Sequence, residues 1–575
     1  MTCSREKDLA EIRERSDEFL RELTALELIL ERRIYPELAY MFKHALTQDV
    51  AYDSLLVQRR REMHALVGRA VEELYVDRLA EHYEVLAHHF SKAEDWPRAL
   101  DYLLKAAEKA TETFGLRQAL AHYGEALVAA NRLEDRVPAA TLIAIHSARA
   151  DLFFGLGEFV RSREEAERLV ALARRVEDRP AEAGALVQVA TAFQWLEDFP
   201  AAHERVRDAI EIAETVGAQG PLGGGLYTRG YLNALNGRLD VAEADLGRAL
   251  QIGRTMGDAN RQALVLHVLS IRRSWQGQYH DSLTLSEEGI RLAREHRLVI
   301  PLLRCLWNQG LACHEKGEYD RALATLVEGL ALAEKVGDDA LIPRFLNTLG
   351  FLRLDCGDFD AGIALSEQSY EATGRSSRAG HGTGAERRTF IRNNEADAFM
   401  AQGDLAAASQ ALDESFHTVQ HPPPSQWMTW RYATHCHASL GQLALLRGDA
   451  DSARRHAELS LEMSTAARSR KYESWGWRLM GESAVARRAW PEAEDALRRA
   501  LSTAQAIEHP RQTWLGHLAL GGLHDTCGRK DDARAAYGAA WHIVKGLRDR
   551  TEDADIRRGL ESQPVVREML EWLGR

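Results

Sequence analysis

Several residue types that mark particular classes of protein are scarce in this chain. Six of its 575 residues are cysteine, and they are too few and too scattered for a disulfide framework, so we expect a reducing, cytoplasmic environment. Its 14 prolines and 42 glycines exclude a collagen-like or low-complexity chain. It contains no run of 18 apolar residues, and its first 19 residues lack the apolar core of a signal peptide. We therefore expect no membrane association.

Positive charge is also in deficit. The 73 Lys and Arg residues are outnumbered by 86 Asp and Glu residues, which gives a formal net charge of −13. Proteins that bind nucleic-acid phosphates usually carry a basic surface, so this balance argues against nucleic acid as the main partner. One local exception is Arg59–Arg61, which we expect to pair with acidic neighbours.

A short phrase recurs along the chain, and it sets the architecture. A Gly or polar residue is followed two positions later by an anchor residue, which is usually apolar. The anchors are Phe159, Phe199, Leu239, Tyr279, Tyr319, Phe359, Leu405, Ala450, Trp490 and Lys530. Most steps are 40 residues long. Because Gly accepts the positive φ that ends a helix, each anchor is predicted to begin a second helix that packs back on the first.

Small residues occupy two positions around every anchor. Three positions after the anchors stand residues such as Ala202, Ala242 and Ala322. The position nine residues before each anchor holds only Ala, Gly or Ser. Small side chains at fixed offsets allow two helices to approach closely, so each unit is predicted to be a helical hairpin that stacks on its neighbours.

This pattern resembles tetratricopeptide repeats in a longer form of about 40 residues, over roughly residues 80–550. The resemblance implies an all-α, right-handed α-solenoid of about eleven helical pairs with a long concave surface. We predict a helical, winged-helix-like module at 1–78 and repeat arrays at 79–370 and 389–550. A flexible Gly/Ser/Arg-rich loop is expected at 371–388, a stiff Pro-rich connector at 419–427, and capping helices at 551–575.

The segment at 32–75 has no counterpart elsewhere in the chain. Its phrase FKHALTQDVAYDSLL, followed by RRR, resembles a linker in bacterial multidomain regulators. Those proteins join a class III adenylate or guanylate cyclase domain and a signal-transduction ATPase to helical repeats. The resemblance implies that this chain corresponds to the regulatory rear part of such a protein, with an ATPase or cyclase domain as partner. No G-x-x-x-x-G-K-[ST] phosphate loop is present, so none of the front half's activity is carried over.

Standard placement on a tetratricopeptide unit predicts which residues face the concave groove. They are Trp195, Tyr227, Tyr231, His267, Trp275, Arg304, Trp307, Asn308, Arg344, Asn347, Phe351, Asn393 and Asn394. Asn side chains offer a donor and an acceptor to a peptide backbone, aromatic rings supply apolar area, and Arg binds carboxylates. The competing interpretation is that the Trp residues pack between repeats and that the Asn residues are solvated surface.

These observations favour a non-catalytic scaffold or sensor arm that binds a protein or peptide in its groove. Two alternatives stay open: a self-assembling module that forms homodimers, and a small-molecule sensor that uses the aromatic residues. No catalytic, cofactor or metal residues are assigned. His435, Cys436 and His437 are neighbours on one predicted helix and diverge by about 100° each, so all three cannot bind one ion. The string GHGTG at 380–384 follows no predicted strand and is weak as a nucleotide site.

Overall fold

The computed structural model describes residues 16, 18–34, 37–113, 115–378, 384–423 and 428–574. The chain divides into two compact units, Met1–Ile145 and His146–Arg575. The boundary between them lies inside one helix, Ala139–Gly155.

The first unit combines a β-hairpin with helices. Its strands Ile29–Ile34 and Glu37–Phe42 pair antiparallel, with Ile29 opposite Phe42. The helices that follow are Ala45–Asp53, Val57–Leu74, Tyr83–Ala93, Trp96–Glu112 and Leu116–Leu133, with 3-10 turns at Val76–Glu81 and Glu134–Arg136. The module expected at 1–78 is therefore not wholly helical. The winged-helix fold of this module stays a prediction.

The basic patch of the first unit is neutralised locally. Arg59 pairs with Glu62 of its own helix, Arg60 pairs with Asp53, and Arg61 pairs with Glu94. Each of these three arginines therefore has a carboxylate partner within the unit.

The remaining helices form successive hairpins. The first helices are Ala139–Gly155, Arg179–Trp195, Gln219–Leu235, Ala259–Trp275, Val299–Glu315, Ile342–Asp355, Ala385–Gln402, Thr429–Leu446, Arg470–Ala486 and Pro510–Thr526. The second helices are Phe159–Arg175, Phe199–Val216, Leu239–Met256, Tyr279–Glu295, Tyr319–Val336, Phe359–Arg378, Leu405–Gln420, Ala450–Ala466, Trp490–Ala506 and Lys530–Arg550. Two short helices, Ala554–Ser562 and Pro564–Leu573, end the chain. The all-α solenoid is confirmed.

The anchors, the turn residues before them and the small residues have the positions in each hairpin that the sequence predicts. Each of the ten anchors is the first residue of a second helix. The residue two positions before the anchor has a positive φ in every hairpin, including the two where it is not Gly, Glu197 at 61° and Arg488 at 59°. All ten small residues nine positions before the anchors are buried. At Gly310, an added Cβ would lie 2.5 Å from Leu326 of the paired helix, so the close approach requires Gly.

The second unit closes on itself after about five hairpins. Among the described residues, five hydrogen bonds join positions that are 192 to 200 apart. The hairpin turns at Gly237, Gly277, Gly317 and Gly357 each touch a later part of the chain. At Gly237, for example, the ring of Trp430 lies so close that an added Cβ would be 3.1 Å from it. The sequence predicts a long concave surface but not the contacts between successive turns of the superhelix.

The two predicted interruptions are shorter than expected. Helix Phe359–Arg378 continues through most of the Gly/Ser/Arg-rich segment, and the next helix begins at Ala385, so the loop predicted at 371–388 is wrong for 371–378 and 385–388. A helix also extends through Gln420 into the Pro-rich connector. Residues 379–383 and 424–427, and with them most of GHGTG, lie outside the described residues.

Candidate functional site

The concave face of the second unit holds two adjoining cavities. The larger, which we call the aromatic chamber, measures about 930 Å³ with the solvent at its mouth included. The smaller, which we call the polar extension, measures about 570 Å³. Trp307, Arg344, Glu386 and Arg387 line both, so the two cavities adjoin at these four residues.

The first helices of the hairpins build the wall of the aromatic chamber. The residues predicted for the groove that line it are Trp195, Tyr231, His267, Trp275, Arg304, Trp307 and Arg344. The chamber is also lined by Gly384–Arg387, Pro423 and Met428, which lie at the two predicted interruptions. These residues were not predicted for the groove, because the sequence indicates a flexible loop and a stiff connector in these two segments.

Cations and indoles alternate along the chamber wall. The Arg304 guanidinium lies 5.7 Å from the ring centre of Trp195, and the Arg344 guanidinium lies 5.4 Å from that of Trp307. Arg344 also donates to both carboxylate oxygens of Glu386, at 3.3 and 3.1 Å. Such cation–π and bidentate contacts hold the guanidinium planes in fixed orientations, so the wall is preorganised.

The tryptophans have both of the roles weighed from the sequence. Trp195 stacks on Phe159 with ring centres 5.5 Å apart, and Trp275 meets Trp430 edge to face at 5.7 Å. The indole N–H of Trp307 donates to Thr348 of the next hairpin at 2.9 Å. Each ring therefore packs against neighbouring residues with part of its surface and lines the chamber with another part.

The polar extension lies further along the same face. It is lined by the predicted residues Asn347, Phe351 and Asn394, by the unpredicted Arg431, Lys471 and Tyr472, and by the residues shared with the chamber. Asn394 donates to Asn347 at 3.3 Å. The Arg431 guanidinium lies 4.5 Å from the ring centre of Phe390. This part of the space is richer in polar groups than the aromatic chamber.

Three predicted groove residues line neither cavity. Asn308 is fully buried, and its Nδ2 donates to the His267 carbonyl oxygen at 2.6 Å. Asn393 is also fully buried and donates to the Tyr432 carbonyl oxygen at 3.2 Å. Tyr227 lies behind the wall and accepts a hydrogen bond from Arg304 at 3.4 Å. These side chains join adjacent first helices or support the wall.

Burial keeps the histidine of the chamber neutral. His267 is 3% exposed, and burial lowers its pKa well below 6.5, with the charges of Arg304 and Arg344 acting in the same direction. The imidazole therefore adds polarity without charge.

Cys305, Cys313 and the triplet His435–His437 are buried. Burial raises the pKa of Cys305, Cys313 and Cys436 to about 12, so these thiols are protonated. His435 contacts Asp397 at 2.8 Å, while His437 contacts His456 at 3.0 Å. Within the described part of the chain, no three His, Cys, Asp or Glu side chains converge as metal ligands.

Comparisons with known proteins give structural neighbours only. No family model and no curated protein matches the chain. Among solved structures, the APC/C hetero-tetramer Cut9–Hcn1 matches with 15% identity and a TM-score of 0.46, covering 89% of this chain and 95% of that one. A Rap protein complexed with competence and sporulation factor matches with 12% identity and a TM-score of 0.44, over 72% and 100% of the two chains. Yeast Tom70 matches with 10% identity and a TM-score of 0.31, over 83% and 99%.

No helix among the described residues is both long and apolar enough to cross a bilayer. The resemblance of residues 32–75 to cyclase- and ATPase-associated regulators has no counterpart in these comparisons.

Proposed function

We propose that the second unit is a non-catalytic receptor that binds a peptide segment of a partner protein inside its closed superhelix. The observation that carries this proposal is that the aromatic chamber and the polar extension adjoin on one face and share four lining residues. Together they offer indole faces, amides and guanidinium groups along one path. An extended peptide presents apolar side chains, backbone amides and charged groups in a comparable series, so one ligand can use all three.

The same proposal includes a regulatory role in the cytoplasm. Coupling to an ATPase or cyclase domain rests only on the sequence of residues 32–75. A pulldown from the native host, followed by mass spectrometry, tests that part separately from ligand binding.

Peptide binding can be tested before the natural partner is identified. Peptides selected from a random display library against the full chain are labelled, and their affinities are measured by fluorescence anisotropy. Tyr231 and Asn347 line the cavities and are only partly buried, so Tyr231→Ala and Asn347→Ala are expected to weaken binding with little effect on folding. Loss of one hydrogen bond or aromatic contact corresponds to a roughly fivefold to tenfold lower affinity.

The matched control is Asn260→Ala, because Asn260 is exposed and lines neither cavity. Peptides that bind all three variants as tightly as the wild type would place the binding surface elsewhere and contradict the proposal. Concentration-dependent association of the chain in light scattering, with peptides competing against it, would support the self-assembly alternative instead.

A small apolar molecule is the second candidate, and the aromatic lining of the chamber favours it. Trp195, Trp275 and Trp307 all line this one cavity. A thermal-shift screen in which small aromatic compounds raise the melting temperature further as their concentration rises, while no peptide binds, would favour this candidate.

A further inference from the structure

Arg387 stands out among the cations that line the cavities. Arg387 is 8% exposed. Its Nε and Nη2 atoms are buried and have no hydrogen-bond partner in the part of the chain that the structure describes. The other chamber arginines are engaged: Arg344 pairs with Glu386, and Arg304 donates to Tyr227. Arg387 therefore brings an unsatisfied guanidinium edge to the junction of the two cavities.

A buried guanidinium without a partner is costly, because the lost hydration is not replaced. Burial and the nearby charge of Arg344 lower the pKa of Arg387 to about 10, partly offset by Glu386 and Glu197, so the group stays charged at neutral pH. The adjoining segments 379–383, Ala-Gly-His-Gly-Thr, and 424–427, Pro-Ser-Gln-Trp, contain no Asp or Glu. They supply no carboxylate for this charge.

The surroundings also favour an anionic guest. The polar extension is lined by four cations, Arg344, Arg387, Arg431 and Lys471, and by one carboxylate, Glu386. Arg344 pairs with Glu386, and Lys471 pairs with Glu315. The aromatic chamber adds Arg304 and two carboxylates, Glu197 and Asp338, so the two cavities together are lined by five cations and three carboxylates. This surplus of positive charge lies within a chain whose net charge is −13. An acidic ligand group would therefore be attracted to the interior and not to the outer surface in general.

We propose that Arg387 binds a carboxylate of the peptide ligand, through the Nε–H and Nη2–H groups that form one edge of the guanidinium. Two parallel N–H donors match the two oxygens of a carboxylate, and such bidentate pairs are among the strongest hydrogen bonds in proteins. The ligand is thus an acidic peptide whose apolar side chains occupy the aromatic chamber. This inference rests on the proposed function and names the charge of its ligand.

The test uses the selected peptides in matched charged and neutral forms. Each Asp or Glu is replaced singly by Asn or Gln, and the C-terminus is prepared as acid and as amide. On the wild-type chain, neutralising one carboxylate is expected to weaken binding at least about tenfold. On Arg387→Gln, the charged and neutral forms should bind equally, and both should bind as weakly as the neutral form binds the wild type.

Arg388→Gln is the matched control, since Arg388 is the next residue of the same helix and lines neither cavity. It is expected to retain the preference for the charged peptide. The wild-type comparison of charged and neutral peptides needs no variant, so equal binding of the two forms overturns the proposal even if Arg387→Gln folds poorly.

The outcomes separate this inference from the proposed function. One outcome is that peptides lose affinity for Tyr231→Ala and yet bind the wild type equally in charged and neutral forms. That result would overturn the carboxylate contact but not the proposed function as a peptide receptor. Peptides that are insensitive to Tyr231→Ala would overturn both. Displacement of the charged peptide by inorganic phosphate but not by acetate would show that the site takes phosphate, which overturns the choice of carboxylate.

Discussion

A buried ionic contact between turns of the superhelix gives the sharpest prediction about the fold. Glu315 ends the helix Val299–Glu315 and is 6% exposed. Its Oε1 accepts a hydrogen bond from Lys471 at 2.8 Å, and its Oε2 accepts one from His509 at 2.7 Å. Burial alone would raise the pKa of Glu315, but Lys471 and His509 outweigh it and hold the pKa well below 4.5. The ionised carboxylate therefore joins hairpins that are far apart in sequence.

Glu315→Gln removes the negative charge and leaves the Lys471 ammonium, whose side chain is 13% exposed, without an ionic partner. Breaking one side of a buried ion pair costs about 3–5 kcal/mol of unfolding free energy, because the remaining charge is desolvated. The control is Glu508→Gln at the same junction. Glu508 pairs with Lys316 at 2.6 Å but its side chain is 73% exposed, so its loss is expected to cost about 0–1 kcal/mol.

Urea unfolding followed by circular dichroism measures both variants. Hydrogen exchange of helices Val299–Glu315 and Arg470–Ala486 shows whether the loss is local to the junction. The double variant Glu315→Leu with Lys471→Met should recover most of the stability, since replacing a buried pair by apolar residues is often neutral or better. Equal destabilisation by Glu315→Gln and Glu508→Gln, within about 0.5 kcal/mol, would refute the reasoning.

Three further predictions concern the hairpins themselves. Burial, and then the charge of a neighbouring histidine, lowers the pKa of His437 from 6.5 to about 4. The neutral His437 therefore contributes its full stabilisation above pH 6.5, and the free energy of unfolding falls by about 1–3 kcal/mol as the pH decreases towards 4. His437→Gln should reduce this pH dependence in urea unfolding. Gly310→Ala should destabilise the fold by about 1–3 kcal/mol through overpacking. Gly247→Ala lies on a helix with open space around it and should stabilise the fold by about 0.5–1 kcal/mol. Melting temperatures that change in the same direction in both variants would contradict this. Asn308→Ala should cost about 1–3 kcal/mol because it removes the buried hydrogen bonds that Asn308 makes with His267, while Asn347→Ala should change the melting temperature little.

The hairpins are predictable from sequence because their determinants are local. A residue with positive φ, an anchor two positions later and small residues at two offsets lie within about a dozen positions of each other. Even the weak anchors Ala450 and Lys530 begin helices, because the positive-φ residue before them is still Gly. Which face of each first helix points inward also follows from that register, so most predicted groove residues line the two cavities.

The closure of the superhelix is not predictable in this way. It depends on small rotations summed over about five hairpins, and no short motif encodes the sum. The Trp430 indole donates to the Leu235 carbonyl oxygen at 3.0 Å across 195 residues, yet no sequence motif near either residue indicates the contact. Arg387 was missed for a related reason. Its Gly- and Arg-rich surroundings indicate a loop, whereas the structure places it in the first turn of a helix, at the junction of the cavities.

The contact between Trp430 and the turn at Gly237 has a consequence for how this array can change in length. An open solenoid gains or loses whole hairpins with little penalty, since each one touches only its neighbours. Here, deleting a hairpin between these two residues would take the Trp430 indole away from Gly237, where it now lies so close that an added Cβ would be 3.1 Å from it. The contact therefore constrains the number of hairpins that can lie between Gly237 and Trp430.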